Sequence, residues 1–271
     1  MINLLGHGFI GSRYATLYPC TVNDRNDLAI KSQHILYMIS TVDNYNVFTD
    51  PYIDIETNLT TLIKVLENCR HTQGVVFNFV SSWYVYGKTN PPFTEHSYCN
   101  PTGFYSITKR AAEQLLMSYC ETFGLKYRIL RLANVVGTGD TKVSTKKNAL
   151  TYLIREIKQG RDIDLYDGGN FTRDYIHVDD VCKAINLVIE KGDINSIYNI
   201  GNNQPWVFKE VIQKVIEQVG SSSKINTVDQ ADFHKVVQVK DSIINSDKLF
   251  SLGYRPSWTL QHTLDDLIKN G

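Results

Sequence analysis

A chain of 271 residues can bury a large core, as one large domain or two modest ones. Hydrophobic residues at 42% and charged residues at 21% mark an ordinary soluble globular composition, and Lys plus Arg equals Asp plus Glu at 28 each. With no basic field to draw in nucleic acid, a phosphate ligand would have to be held by local groups. The five cysteines, Cys20, Cys69, Cys99, Cys120 and Cys182, show neither Cys-x-x-Cys spacing nor a His at metal-ligand distance. They are read as reduced thiols of a cytoplasmic protein that uses no metal. The apolar run Ile2–Leu5 is too short for a signal peptide or a span, and no later run approaches about 18 apolar residues, so no membrane is expected.

In chain order, Ile2-Asn3-Leu4-Leu5 reads as a buried strand, followed by Gly6-His7-Gly8-Phe9-Ile10-Gly11 and a helix-like stretch to about Tyr18. Glycines in a strand-to-helix turn permit a tight bend, close backbone approach to a pyrophosphate, and close packing of helix on strand. Cys20 to Asp24 offers a second strand ending in an acid, Asp24, placed for ribose hydroxyls. The adjacent Arg25 could serve the extra phosphate of NADP. Residues 25–33 leave little room for a further helix and strand before Ile35–Ile39, so the first half of the fold looks abbreviated. Ser40 and Thr41 sit at that strand's carboxyl end, where an open parallel sheet binds its cofactor.

Asp50-Pro51 predicts a helix start, with Asp50 as N-cap, and Leu59, Leu62, Ile63 and Leu66 carry helical spacing to about Cys69. Val75–Val80 reads as a buried strand delivering Ser81-Ser82-Trp83-Tyr84-Val85-Tyr86-Gly87 to the same sheet edge. Pro101 precedes a helix whose apolar stripe is predicted as Ala112, Leu115, Leu116 and Tyr119, stopped by Gly124. Tyr127–Leu132 is the next strand. Strands alternating with helices of this length imply a parallel, doubly wound sheet. From Gly137 the character changes: a polar, basic loop (139–147), a helix from about Asn148 to Gln159, a strand at Ile163–Tyr166 and a turn at Asp167-Gly168-Gly169. Arg173–Asp180 leads into a helix ending near Gly192. There His177 is read as a structural hydrogen-bonding residue. Ser196–Ile200 is a strand, and Phe208, Val211, Ile212, Val215, Ile216 and Val219 form an amphipathic helix stopped by Gly220, its stripe read as core packing. The expected division is a dinucleotide-binding domain at 1–137, with about 170–201 returning to it, and a smaller α/β substrate-binding domain mainly in 138–271.

The chemistry centres on Tyr105 and Lys109, one helical turn apart and therefore on one helix face. A tyrosine with a pKa of about 10 is a poor acid or base near neutrality, and a neighbouring cation brings that value towards working pH. Ser82, at a strand end, offers a hydroxyl for a substrate oxygen or for the turn itself.

The order of the Gly-rich turn, Ser-Ser-x-x-Val-Tyr-Gly, Tyr-x-x-x-Lys, Arg-x-x-Asn-Val-x-Gly and Arg-Asp-Tyr-Ile-His-Val-Asp-Asp-Val resembles the extended short-chain dehydrogenase/reductases, in particular the NAD-dependent epimerase/dehydratase family acting on nucleotide sugars. The likeness runs from residue 2 to about 268 and includes Tyr198-Asn199-Ile200-Gly201 and the Lys248–Pro256 segment. It implies a Rossmann-type fold with NAD as cofactor, NADP being an alternative, a nucleotide-diphosphate sugar as substrate, and a homodimer pairing the helices near 52–70 and 102–123. Tyr105 would be the acid/base at a sugar hydroxyl, and Lys109 would hold the nicotinamide ribose and lower the tyrosine's pKa. Ser82 would share the substrate oxygen, with Trp83 beside it. Gly6, Gly8, Phe9, Ile10 and Gly11 would line the pyrophosphate, Asp24 the adenosine ribose. Asn134, Asn148 and Arg173 would hold the substrate's diphosphate, and Lys235 stands where relatives carry another phosphate-binding arginine.

Two departures shape the expectation. Leu5 stands where the family often has glycine. The Asp-Glu pair that follows the catalytic hydroxyl in the family's 4,6-dehydratases is replaced by Trp83 and Tyr84, neither of which shuttles protons at neutral pH as a carboxyl pair can. The expected activity is therefore epimerisation of a nucleotide sugar, at C4, through a keto intermediate. The alternatives are a 4-keto-6-deoxy-sugar reductase using the same residues once, and a non-catalytic NAD(P)-binding sensor or scaffold.

Overall fold

The structure, a computed structural model, describes residues 1–42, 44–140 and 149–271. Its first half runs β1 (Ile2–Leu5), α1 (Phe9–Leu17), β2 (Cys20–Val22), β3 (His34–Tyr37), α2 (Tyr52–Ile55), α3 (Thr61–Cys69), β4 (Val76–Ser82), α4 (Phe104–Phe123) and β5 (Lys126–Leu132). There follow β6 (Asn134–Val136), α5 (Ala149–Lys158), β7 (Ile163–Tyr166), β8 (Thr172–His177), α6 (Val178–Lys191), β9 (Ser196–Ile200) and β10 (Pro205–Val207). The described chain closes with α7 (Phe208–Val219), β11 (Ile225–Val228), α8 (Asp232–Val237), α9 (Asp247–Ser251) and α10 (Leu260–Asn270).

Six strands form one parallel sheet in the order β2-β1-β3-β4-β5-β9. Period-two alternation sends Leu4 and Leu36 to one face, where α1 and α6 pack with Ile185 and Val188. Leu5, Ile35 and Tyr37 go to the other, where α3 and α4 contribute Leu62, Leu66, Ala112 and Leu116. Helices on both faces make this the doubly wound, Rossmann-type arrangement. A second cluster of elements carries a three-stranded sheet, β10-β8-β6, and a parallel pair, β11-β7. Its core is built by α5, α7 and α10 through Ile154, Ile157, Val211, Val215, Leu264 and Leu267, so the α7 stripe is indeed core packing.

The short crossing from β2 to β3 holds neither helix nor strand over 23–33, and two buried asparagines explain how it can be so brief. Asn3 Nδ2 donates to Asn23 Oδ1 at 2.7 Å, Asn23 Nδ2 donates to the carbonyls of Asp27 and Ala29 at 2.9 and 2.8 Å, and the Lys31 amide donates to Asn3 Oδ1 at 2.8 Å. Side-chain amides satisfy backbone groups that a helix would otherwise have paired.

Two sequence expectations need correction. Asp50 is not the N-cap of a continuous helix. Pro51 takes that place, Asp50 accepts from the Tyr52 amide at 3.0 Å, and a π-helical stretch, Glu56–Thr60, separates α2 from α3. The distortion accompanies polar groups on the inner face, Asp54 and Asn58, both buried and hydrogen-bonded to Thr41. In α4 the apolar stripe read from the sequence is only part of the buried face: Ala112 and Leu116 are in the core and Tyr119 packs against it, but Leu115 is not. Leu115 is 40% exposed, whereas Tyr105, Lys109 and Glu113 are buried with Ala112, Leu116 and Cys120. Charged residues face inward here because each finds a partner there.

Gly11 is pinned by packing: a Cβ on it would lie 2.1 Å from the Gly6 carbonyl oxygen. Gly11→Ala is expected to force α1 off β1 and lower stability by at least about 1 kcal/mol, the lower end of overpacking costs. An unchanged urea midpoint would contradict the packing described.

Candidate active site

The turn between β1 and α1 is shaped by three glycines with different duties. Gly6 has φ +106° and lies so close to the Met38 backbone that a Cβ would meet it at 2.6 Å. Gly8 is the N-cap of α1, makes no side-chain cap, and has nothing within 4 Å of the position a Cβ would take. The N-terminus of α1 therefore has room beside Gly8, with no side chain capping its first-turn amides. That arrangement fits a dinucleotide pyrophosphate. Leu5, in the place of the absent glycine, is wholly buried and faces the α3–α4 side.

Asp24 and Arg25 come after β2 and the buried Asn23, and both are exposed. Ser40 and Thr41 follow β3. Ser40 Oγ and the Thr41 amide both donate to Asn58 Oδ1, at 3.0 and 2.9 Å, and Asn58 Nδ2 donates onward to Thr108 Oγ1 at 2.9 Å. The end of β3 is thus tied, through one buried amide, to the residue preceding Lys109 on α4.

Ser82 ends β4, and Tyr105 and Lys109 lie one turn apart on α4. Lys109 is 2% exposed. Its Nζ donates to the Val80 carbonyl at 2.7 Å and stands 4.3 Å from the centroid of the Phe79 ring. Burial drives its pKa down to about 7, opposed by the carboxylate of Glu113 one turn further along α4. Tyr105, one turn the other way, is 8% exposed and meets the Tyr84 ring edge-on at 6.0 Å. Ser82, two residues beyond Val80, accepts from the Tyr84 amide at 3.3 Å and so caps the short 3-10 turn of Trp83–Tyr86. The serine therefore performs the turn role open to it in the sequence, at the carboxyl end of β4, two residues past the carbonyl that Lys109 holds.

The residues expected at the substrate are placed less uniformly. Trp83 is 2% exposed and stacks on Tyr84, with the Arg173 guanidinium 5.6 Å from its ring. Arg173 is itself buried and donates to the carbonyls of Thr172, Val239 and Lys240. Here its hydrogen bonds hold β8 to the 239–240 segment. Asn134 donates to the Asp174 carbonyl and Ser242 Oγ at 3.2 and 3.3 Å. Lys235 lies at the exposed surface of α8, paired with Asp232 at 2.9 Å. Asn148, with the predicted loop before it, lies outside the described residues. His177 is a structural residue: burial pushes its pKa down, its Nδ1 accepts from the Asp179 amide at 3.2 Å to cap α6, and its ring stacks on Trp258 at 3.7 Å. Glu113 and Asn58 were not singled out in the sequence. A carboxylate four positions beyond Lys109 was the available sign of the first.

Residues 7–201 match the NAD dependent epimerase/dehydratase family. The chain belongs to that family. Like the other extended short-chain dehydrogenase/reductases, it carries the nicotinamide-cofactor fold. Among relatives, it is 31% identical over 192 residues to the low-salt glycan biosynthesis protein Agl12 of Haloferax volcanii, covering 70% of this chain and 59% of that one. It thus spans less than two thirds of that relative. It is 27% identical over 236 residues to the dTDP-glucose 4,6-dehydratase of Haemophilus influenzae, covering 79% and 69%. The structure superposes on the UDP-glucose 4-epimerase of Thermotoga maritima with UDP-glucose at a TM-score of 0.87 and 22% identity, covering 99% of this chain and 97% of that one. Among the described residues, no helix is long and apolar enough to cross a membrane.

The buried lysine gives this epimerase/dehydratase family member a pH signature. Unfolded, Lys109 keeps its proton to about pH 10.4; folded and without cofactor, it releases it near 7. Between those values the unfolded chain binds more protons, so this residue's contribution to stability rises with pH. Lys109→Met is expected to remove that contribution, narrowing the wild-type rise between pH 7 and 9 by up to roughly 1.4 kcal/mol per pH unit in urea titrations. Equal pH slopes in the two proteins would refute it.

Proposed function

We propose that the chain is a nucleotide-sugar epimerase acting at C4 by hydride transfer through a keto intermediate. The observation that carries this reading is the buried Lys109 ammonium, bonded to the end of β4, with Tyr105 one turn above it and Ser82 two residues along the strand. A nicotinamide bound along the sheet edge supplies the hydride acceptor and donor. Gly6, Gly8, Phe9, Ile10 and Gly11 would receive its pyrophosphate, Asp24 its adenosine ribose, and Ser40 and Thr41 the strand-end side of the crevice. The acid at 24 favours NAD; the exposed Arg25 leaves room for NADP.

Within this site Tyr105 takes the proton from the sugar's C4 hydroxyl as the carbonyl forms, and returns it when the carbonyl is reduced from the other face. Lys109, charged, favours the tyrosinate and holds the ribose that faces it. Ser82 donates to the same C4 oxygen. Asn134, Arg173, Trp83 and Lys235 are proposed for the nucleotide-diphosphate side of the substrate, which requires Arg173 to exchange backbone carbonyls for phosphate oxygens. The 4,6-elimination carried in the name of the Haemophilus relative is disfavoured, because Trp83 and Tyr84 occupy the two positions after Ser82 and neither is an acid.

A nucleotide-sugar panel would find the substrate by stabilisation, since a ligand at a hundred times its Kd adds about 2.7 kcal/mol. With that substrate, Tyr105→Phe should lose at least about a hundredfold in kcat while still binding cofactor. Unchanged turnover removes this mechanism, and net consumption of NADPH with a 4-keto-6-deoxy sugar would replace epimerase by reductase.

The helical face beyond α3 and α4 supports a homodimer. Tyr52 and Ile55 of α2, and Phe104, Ile107 and Leu115 of α4, are 40% or more exposed, a density of large apolar groups that one copy leaves in water. Pairing these helices with those of a second copy would bury them in a four-helix contact. Ile107→Glu is expected to halve the mass in sedimentation velocity; a wild-type monomer would rule the dimer out.

A further inference from the structure

Below Lys109 on α4 lies a group to which the proposed mechanism gives no part. Glu113 is wholly buried and carries four hydrogen bonds on its two oxygens. Oε1 accepts from Ser81 Oγ at 2.6 Å and from Arg131 Nε at 2.9 Å; Oε2 accepts from Arg131 Nη2 at 2.7 Å and Arg110 Nη1 at 2.8 Å. Burial alone would raise its pKa, but the fork of Arg131, with Ser81 and Arg110, holds it below the usual carboxylate range, so it is an anion at neutral pH. Arg131 is also buried, comes from β5, and lies 4.8 Å from the Tyr86 ring.

This cluster acts on three consecutive residues of β4. Val80 gives its carbonyl to Lys109, Ser81 gives its hydroxyl to Glu113, and Ser82 stands at the sheet edge. Helix α4 grips the strand end at two points one turn apart, and Tyr105 stands one turn beyond the upper one. Against the Lys109 ammonium lie the Phe79 ring and the Val80 carbonyl of β4. Along α4, Tyr105 comes one turn before it and Glu113 one turn after it, the latter holding Arg110 and Arg131. Behind α4, Asp54 is joined to Thr108 through Thr41 and Asn58. Of the carboxylates around this cation, Glu113 is the one a helical turn away. A cation in so dry a place sheds its proton unless an anion answers it.

We propose that Glu113 is a positioning residue for the Tyr105–Lys109 pair: clamped by Ser81 and Arg131, its carboxylate opposes the loss of the Lys109 proton that burial drives, and so favours the charged lysine that keeps the Tyr105 phenol acidic. The inference rests on the catalytic reading of Tyr105 and Lys109, and adds to it that the charge relay extends one turn deeper into α4. A salt bridge that merely staples α4 to the sheet would be indifferent to the proton on Lys109.

The test is the ionisation of Tyr105, read as the ultraviolet difference spectrum of phenolate between each protein and the same protein carrying Tyr105→Phe, without any substrate. Glu113→Gln removes the carboxylate and keeps its shape. The Tyr105 transition is expected to move to higher pH by about one unit in this variant, the scale of a single neighbouring charge. Ser81→Ala, which removes one hydrogen bond but no charge, should leave the transition where it is in the wild type. If Glu113→Gln does not fold, Glu113→Gln/Arg131→Met, which leaves no unpaired Arg131, is expected to shift the transition in the same direction by less, because the lost cation offsets part of the lost carboxylate. A folded Glu113→Gln, or failing it a folded double variant, whose transition coincides with the wild type overturns the role of Glu113. A wild-type Tyr105 that stays neutral to pH 10 overturns the site reading itself, and this proposal with it.

Discussion

An amine with almost no access to water is the constraint around which this molecule is arranged. Burial works against the charge on Lys109, and a strand-end carbonyl that accepts from it, an aromatic face against it and a carboxylate one turn away work for it. Each of those groups comes from a place the fold must fix. Phe79 and Val80 need β4 in the middle of the sheet, between β3 and β5. Glu113 needs the Arg131 fork, hence β5 in register, where Ser81 pairs with Arg131. The buried face of α4 therefore carries Lys109 and Glu113 beside Ala112, Leu116 and Cys120, while Phe104, Ile107 and Leu115 lie outside. Its inward charges add a second constraint to the apolar packing. The helix is also held by paired charges, and breaking one partner costs more than the pair contributes.

Much of this was legible in the sequence, and the reasons are particular. The run Val75–Val80, apolar but for Asn78, allows hardly any reading except a strand buried on both faces, and the glycines at 6, 8 and 11 after Leu5 restrict the turn to few forms. The spacing of Tyr105 and Lys109 puts them on one face by helix geometry alone. The compressed passage after Asp24 could be read from its length. That Asn3 and Asn23 would bridge it could not, because a buried asparagine has no periodic signature.

The sequence misled where polar side chains replace apolar ones inside. Leu115 belongs by composition to a buried stripe and by geometry to the surface, because Glu113 holds the inward place with three donors waiting for it. The π-helical turn at Glu56–Thr60 hides in a segment whose leucine spacing is helical throughout. What shifts it is the inward demand of Asp54 and Asn58 for Thr41 and Thr108, contacts between residues 13 to 50 positions apart. Around the substrate side, residue type proved less informative than position. Arg173 has the chemistry to hold phosphate and spends it on backbone carbonyls, and Lys235 has the charge but stands at the surface.

The path of the chain through its two groups of strands has a consequence for how the molecule is born. Strand β5 finds its second neighbour only in β9, and between them the backbone leaves to build β6, β7 and β8 before α6 brings it back. While the first 190 or so residues emerge from a ribosome, the edge of β5 stands open, and nothing local can close it. Assembly of so non-local a sheet is intrinsically slow and leaves a sticky edge exposed meanwhile. Nascent chains of this protein should therefore lean on chaperones until the residues of β9 clear the exit tunnel.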